Sequence, residues 1–245
     1  MEPHEKAMEV RQLRKTFGVI KALSGIDFEL KKGEFLTVFG PNGAGKTTLI
    51  KILSGLTKST SGLAKVAGFD VAEGNCEMRK QIGVISHATA LYVDLTPLEN
   101  LMFFARMHGL DEPKGRSLKV ISEVGLSERR NDRVRTFSRG MLQRLSIARA
   151  ILHDPTILFL DEPFTGLDLH ASNILKEHLK RLQDRRRTIL MITHDIACGL
   201  EMCDKVALQV QGKFVFFENI ANVNKDRFES MYFDAVRDNR FSLNH

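Results

Sequence analysis

Three groups of residues could carry chemistry in this chain. Gly40-Pro41-Asn42-Gly43-Ala44-Gly45-Lys46-Thr47 satisfy G-x-x-x-x-G-K-[ST], after the apolar run Phe35–Phe39 and ahead of a helix expected to begin near Lys46. Glycines at these positions let bare backbone N–H groups converge on phosphates, and a helix N-terminus adds partial positive charge. Residues Gly40 to Thr48 are therefore expected to bind a nucleotide, with Lys46 on the β and γ phosphates and the Thr47 hydroxyl on Mg²⁺. The second group is Asp161-Glu162, which ends the apolar run 156–160. Neighbours on an extended chain point in opposite directions, so the two carboxylates are expected to differ in role. Asp161 is assigned to the Mg²⁺ shell through water, and Glu162 to the attacking water as general base or orienting group. The third is His194, after the run Thr188–Ile192, placed to contact the γ-phosphate or to hold Glu162.

The elements that must position these groups alternate along the chain. Strands are expected at about 26–30, 35–39, 82–85, 156–160, 188–192 and 205–210, and helices at about 97–108, 114–125, 140–153 and 169–184. This is the pattern of an α/β domain whose sheet is at least partly parallel. Residues from about 87 to 153 contain no convincing strand and read as a helical subdomain inserted into the α/β core, within a domain of residues 1–222. From about Val223 to the end a helical tail is expected, with Phe228, Met231, Tyr232 and Ala235 on one face.

Composition narrows the partners. The 245 residues are 43% apolar and 27% charged, which excludes fibrous and low-complexity classes. No apolar run approaches the roughly 18 residues of a membrane span, and the polar first residues lack the pattern of a secretory signal, so a cytoplasmic location is expected. Cys76, Cys198 and Cys203 form no C-x-x-C pair and read as inert. The net charge of +6 is a mild bias towards anionic partners. The clusters from Arg129 to Arg135 and at Arg185-Arg186-Arg187 read as solvated faces, because no aromatic residues interleave with the charges as a nucleic-acid surface wants.

With the phosphate motif, Asp161-Glu162 and His194 in order, the segment Phe137-Ser138-Arg139-Gly140-Met141-Leu142-Gln143-Arg144 resembles the signature of ATP-binding-cassette (ABC) transporter subunits. The resemblance runs from about Met8 to Phe217. It implies an ABC-type P-loop fold, with a mixed sheet, an inserted helical subdomain and a small antiparallel β part. It also implies a head-to-tail homodimer around two ATP molecules, where Ser138 and Gly140 of one subunit touch the γ-phosphate held by the other. Arg139 and Met141 depart from the usual Leu-Ser-Gly-Gly-Gln. By the same resemblance Phe17 stacks on adenine and Asp168, in Gly166-Leu167-Asp168, crosses the dimer interface. His87, in Ser86-His87-Ala88, stands where the family has its lid glutamine.

His87, with Asp94-Leu95-Thr96-Pro97-Leu98-Glu99-Asn100-Leu101, looks like the ATP-binding subunit of cytochrome c maturation, haem-linked, exporters. The implied function is an ATPase at the cytoplasmic face of the membrane that binds ATP and Mg²⁺ and powers separate transmembrane subunits, with no nucleic acid. The alternatives are the ATPase of another exporter of drugs, lipids or polysaccharides, or a soluble ATPase acting on ribosomes or DNA. A single phosphate motif, and too short a chain between Lys46 and Ser138 for a long coiled coil, argue against the last.

Overall fold

Strands that read as unbroken apolar runs need cover on both faces, whereas alternating strands need it on one. Both kinds occur here. The computed structural model describes residues 6–86, 90–183 and 187–242, with side chains described as far as residue 237. In chain order the elements are β1 (Lys6–Phe17), β2 (Ile20–Lys31), β3 (Phe35–Phe39), α1 (Lys46–Leu53), β4 (Ser61–Val66), β5 (Phe69–Asp70), α2 (Cys76–Lys80) and β6 (Ile82–Ile85). There follow α3 (Pro97–Met107), α4 (Pro113–Glu123), α5 (Arg139–Ile151), β7 (Ile157–Asp161), α6 (Leu169–Leu182), β8 (Thr188–Ile192), α7 (Ile196–Met202), β9 (Lys205–Val210), β10 (Lys213–Asn219) and α8 (Lys225–Ser242).

The main sheet has the order β10-β9-β3-β8-β7-β6, parallel except for the antiparallel edge strand β10. Every residue of β3, β7 and β8 is buried. Their side chains part by the period of two. Phe35, Phe39, Leu158, Leu160, Ile189 and Met191 join a core with residues of α3 to α8. Leu36, Val38, Ile157, Phe159, Leu190 and Ile192 join a second core with β1, β2 and α1.

The smaller sheet, β2-β1-β4-β5, is antiparallel throughout. The strand expected at 26–30 is the inner part of β2 and belongs to this sheet. β1, β4, β5 and β10 escaped the sequence reading because their apolar residues are interrupted by charge and by register shifts, as in β1 between Val10 and Leu13.

Among the described residues 90–156 hold no strand, and α3, α4 and α5 lie between the neighbouring parallel strands β6 and β7. Thr96 and Glu99 form a reciprocal cap on α3. Buried Asn100 ties the preceding loop down: its amide donates to the Tyr92 and Thr96 carbonyls, and its Oδ1 accepts from the Tyr92 N–H. α8 packs through Phe228 on Phe39 and Phe216, with Met231, Tyr232 and Ala235 on the same core. No helix among the described residues is long and apolar enough to cross a membrane. The arginine clusters are engaged locally, Arg129 with Asp132, Arg135 with Asp94 and Arg187 with Asp154. Arg185 and Arg186 lie outside the described residues.

Where the helices meet the sheet edge, the His108 and His153 rings stack at 4.0 Å, and His153 Nε2 lies 3.0 Å from the Ile82 carbonyl oxygen. Burial, with the His108 ring beside it, lowers the His153 pKa from 6.5 to about 4. The folded protein keeps this ring neutral while the unfolded chain protonates it below pH 6.5, so stability falls as pH drops from 6.5 towards 4. The contribution is on the order of 3 kcal/mol. His153→Gln is expected to flatten the pH dependence of the melting temperature across that window; an unchanged slope would refute the assignment.

Candidate functional site

The carboxyl ends of parallel strands are where an α/β sheet presents loops to a ligand. Here β3 ends at Gly40, β7 at Asp161-Glu162, β8 near His194 and β9 at Gln209 to Gly212. Gly40, Gly43 and Gly45 have φ of +151°, +81° and +96°. Only glycine fits two of them sterically as well. A Cβ on Gly40 would stand 2.1 Å from the Gln209 carbonyl oxygen, and one on Gly45 2.1 Å from that of Ala22. Buried Lys46 opens α1, and its Nζ donates to the Gly40 and Pro41 carbonyls at 2.7 and 2.9 Å. Burial lowers its pKa, and the charges of Glu162 and Asp161 oppose that. A cleft of about 290 Å³ is lined by Ile20, Lys21 and Ala22 of β2, by residues 42–48, and by Asp161, Glu162 and Ile192.

The Thr47 hydroxyl donates to Asp161 Oδ1 at 3.2 Å. Burial raises the Asp161 pKa, with the Thr47 hydrogen bond acting against it. A hydroxyl and a carboxylate facing one cleft are oxygen donors of the kind a hard cation such as Mg²⁺ takes. Among the described residues no group of three or more His, Cys, Asp or Glu could cage a metal. Mg²⁺ is typically held by one or two protein oxygens together with substrate phosphates and water.

Glu162 adopts φ +54°, and its N–H donates to the Ile192 carbonyl at 2.9 Å. The left-handed turn ends the extended alternation at Asp161. Both carboxylates therefore face the same cleft, which corrects the expectation that they point in opposite directions. Glu162 Oε2 is 2.7 Å from His194 Nδ1 and accepts from the Thr165 hydroxyl at 3.3 Å. His194 joins the cleft through Glu162.

The remaining candidates lie apart. Ser138 caps α5, its Oγ accepting from the Met141 N–H at 3.3 Å. Asp168 caps α6, accepting from the Ala171 N–H at 2.7 Å. These two helix starts meet within the chain: a Cβ on Gly140 would stand 2.9 Å from that of Ala171, and the Arg139 guanidinium lies over Gly166. Ser138, Gly140 and Asp168 do not line the P-loop cleft. Phe17 is half exposed, with Lys15 Nζ 4.6 Å from its ring centre. His87 lies outside the described residues. Cys198 and Cys203, both pushed up to about 11 chiefly by burial, are poor nucleophiles. Sequence reasoning missed Gln209 and the Ile20–Ala22 rim. Gln209 carries no motif, and its only signal is a polar residue inside the apolar run of β9.

A glycine loop at a helix start, a buried lysine and an acid pair at the end of β7, one strand removed from β3, define a P-loop nucleotide-binding protein. A family profile described as ABC transporter matches residues 23–165. The linearmycin resistance ATP-binding protein LnrL of Bacillus subtilis (strain 168) is 37% identical over 210 residues, covering 85% of this chain and 68% of that protein. A fluoroquinolones export ATP-binding protein of Mycobacterium tuberculosis (strain CDC 1551 / Oshkosh) is 37% identical, covering 81% of this chain and 65% of its own length. A dimeric ATP-binding cassette solved in a post-hydrolysis state with ADP and Pi superposes with a TM-score of 0.79 at 25% identity, over 87% of this chain and 98% of that one. The chain belongs to the ABC transporter family, as an ATP-binding and ATP-hydrolysing subunit.

Gly45→Ala tests the loop geometry. It forces a Cβ against the Ala22 carbonyl at a φ that L residues rarely adopt, a strain of about 1–3 kcal/mol. The melting temperature should fall by several degrees, and ATP affinity, measured by titration calorimetry, by at least about tenfold. Unchanged affinity would show that the loop's shape is not what holds the phosphates.

Proposed function

We propose that this chain powers an exporter of small organic compounds such as drugs, working as a pair of subunits against separate membrane proteins at the cytoplasmic face of the membrane. The observation that carries the hydrolytic part is Glu162, held by His194 at 2.7 Å beside the P-loop. The exporter part rests on relatives named for linearmycin resistance and fluoroquinolones export. These names favour another exporter over the cytochrome c maturation system suggested by the His87 segment.

In this reading the N–H groups of residues 43–47 and the Lys46 ammonium hold the phosphates. On phosphate arrival Lys46 exchanges its bonds to the Gly40 and Pro41 carbonyls for phosphate oxygens. Thr47 and Asp161 would hold Mg²⁺, which when bound neutralises charge on the β and γ phosphates. Glu162 accepts a proton from the attacking water or orients it, and His194 fixes the Glu162 rotamer. Phe17 supplies a face for adenine. Ser138, Gly140 and Asp168, on surfaces away from the chain's own cleft, meet the nucleotide or the P-loop of a second copy. His87 is the lid residue of this scheme.

Glu162→Gln is expected to bind ATP as the parent does, lose nearly all hydrolysis and accumulate as a dimer on gel filtration with ATP; parental turnover would remove Glu162 from the role. Lys46→Ala should abolish binding. For the cargo, deletion of the coding region should raise sensitivity to antibiotics of the exported class while haem-stained c-type cytochromes stay at parental level. Loss of those cytochromes would restore the haem-linked reading.

A further inference from the structure

The P-loop is held from behind by a side chain that none of the motifs contains. Gln209, on β9, is completely buried, and its Nε2 donates to the Ala44 carbonyl at 2.9 Å. The Gly212 N–H donates to the same oxygen at 3.0 Å. In a trans peptide the C=O and the following N–H point in opposite directions. Two donors pulling the Ala44 carbonyl inwards therefore turn the Gly45 N–H outwards, to the cleft that Gly45 lines. The amide orientation is fixed by the bond itself, since the flipped group would set oxygen against oxygen. Contact is close on both sides: Nε2 lies 3.0 Å from where a Gly45 Cβ would be, and the Gln209 carbonyl oxygen occupies the space of a Gly40 Cβ.

Gln209 Oε1 has no hydrogen-bond partner among the described residues, although it is buried. An unpaired buried carbonyl destabilises a fold. An apolar residue in β9 would avoid that cost, so the amide is poorly explained as a stability device. We propose that Gln209 is a positioning residue for the phosphate bed: it acts through the Ala44 carbonyl to aim the Gly45 N–H at the nucleotide's phosphates. The proposal rests on the nucleotide-binding reading above.

It requires stability and binding to part company. Gln209→Met keeps the bulk of the side chain while removing both the donor and the unpaired acceptor. Without ligand it should melt at the same temperature as the parent or higher. Inorganic pyrophosphate and Mg²⁺-ATP should each bind about three- to tenfold more weakly by titration calorimetry, and by the same factor, because the defect lies under the phosphates. Parental affinity for both ligands overturns the proposal. If Gln209→Met melts lower, Gln209→Glu decides, since its acid form keeps an O–H donor. At pH 6 it should bind pyrophosphate within about twofold of the parent at that pH, and weakened binding there overturns the proposal. The underlying reading fails separately: it falls if the parent binds neither ligand, or if Lys46→Ala binds both as the parent does.

Discussion

The constraint on which the rest depends is that a run of backbone N–H groups must face one side of a loop while the carbonyls find partners on the other. Backbone N–H and C=O groups are costly to bury unpaired, so a phosphate bed requires a backing. Here the backing comes from two directions. The Ala44 carbonyl is taken by Gln209 and Gly212 from β9 and its turn. The Gly212 carbonyl in turn accepts from Ser24 of β2. The antiparallel sheet, the parallel sheet and the P-loop thus meet at one place, and the glycines are small enough to let three backbones approach.

The same logic explains why the reactive groups collect at one edge. β3 lies between β8 and β9, and β7 beside β8, all parallel, so their carboxyl ends open on the same side. Asp161 pairs in register with Ile192, two residues before His194. The turn of the chain at Glu162 sets its carboxylate towards both His194 and the Lys46 loop. A left-handed φ at a glutamate is costly, and its N–H bond to the Ile192 carbonyl holds it there. Strain in the backbone and a short contact to His194 fall on the same residue, the one whose chemistry needs a fixed position.

Much of this was legible because it is local. A phosphate motif is contiguous, so strand, glycines and helix start could be read together, and Asp161-Glu162 follows an apolar run that has to be buried. The long helices between β6 and β7 announced themselves by periodicity. What escaped depends on distance. β1 and β4 are half-exposed strands paired with each other across roughly 50 residues of sequence, and their charges, such as Glu9, Arg11 and Lys65, hide the alternation. Gln209 sits 165 positions from Ala44 in sequence, and nothing near it declares that the amide is bonded to a loop. The relation of Asp161 to Glu162 was misjudged because an extended chain was assumed where the backbone reverses.

A short run of contacts joins the carboxylate turn of the cleft to the helices between β6 and β7. Glu162 is bonded to Thr165, and the next residue, Gly166, lies under the Arg139 guanidinium at the start of α5. α5 is fastened at its other end: Arg149 donates to the Val84 carbonyl of β6, and Arg116 of α4 donates to the carbonyls of Ile151 and Leu152. His153 closes the join at Ile82. The helices between β6 and β7 are therefore bound to the sheet at the edge strand and to the carboxylate turn through the start of α5. The Glu162 turn is joined to that helix by the Thr165–Glu162 hydrogen bond and the Arg139 contact at Gly166. The start of α5 is held by the Arg139 side chain over Gly166 and by Gly140 close against Ala171, while its far end is held by half-buried arginines on backbone carbonyls.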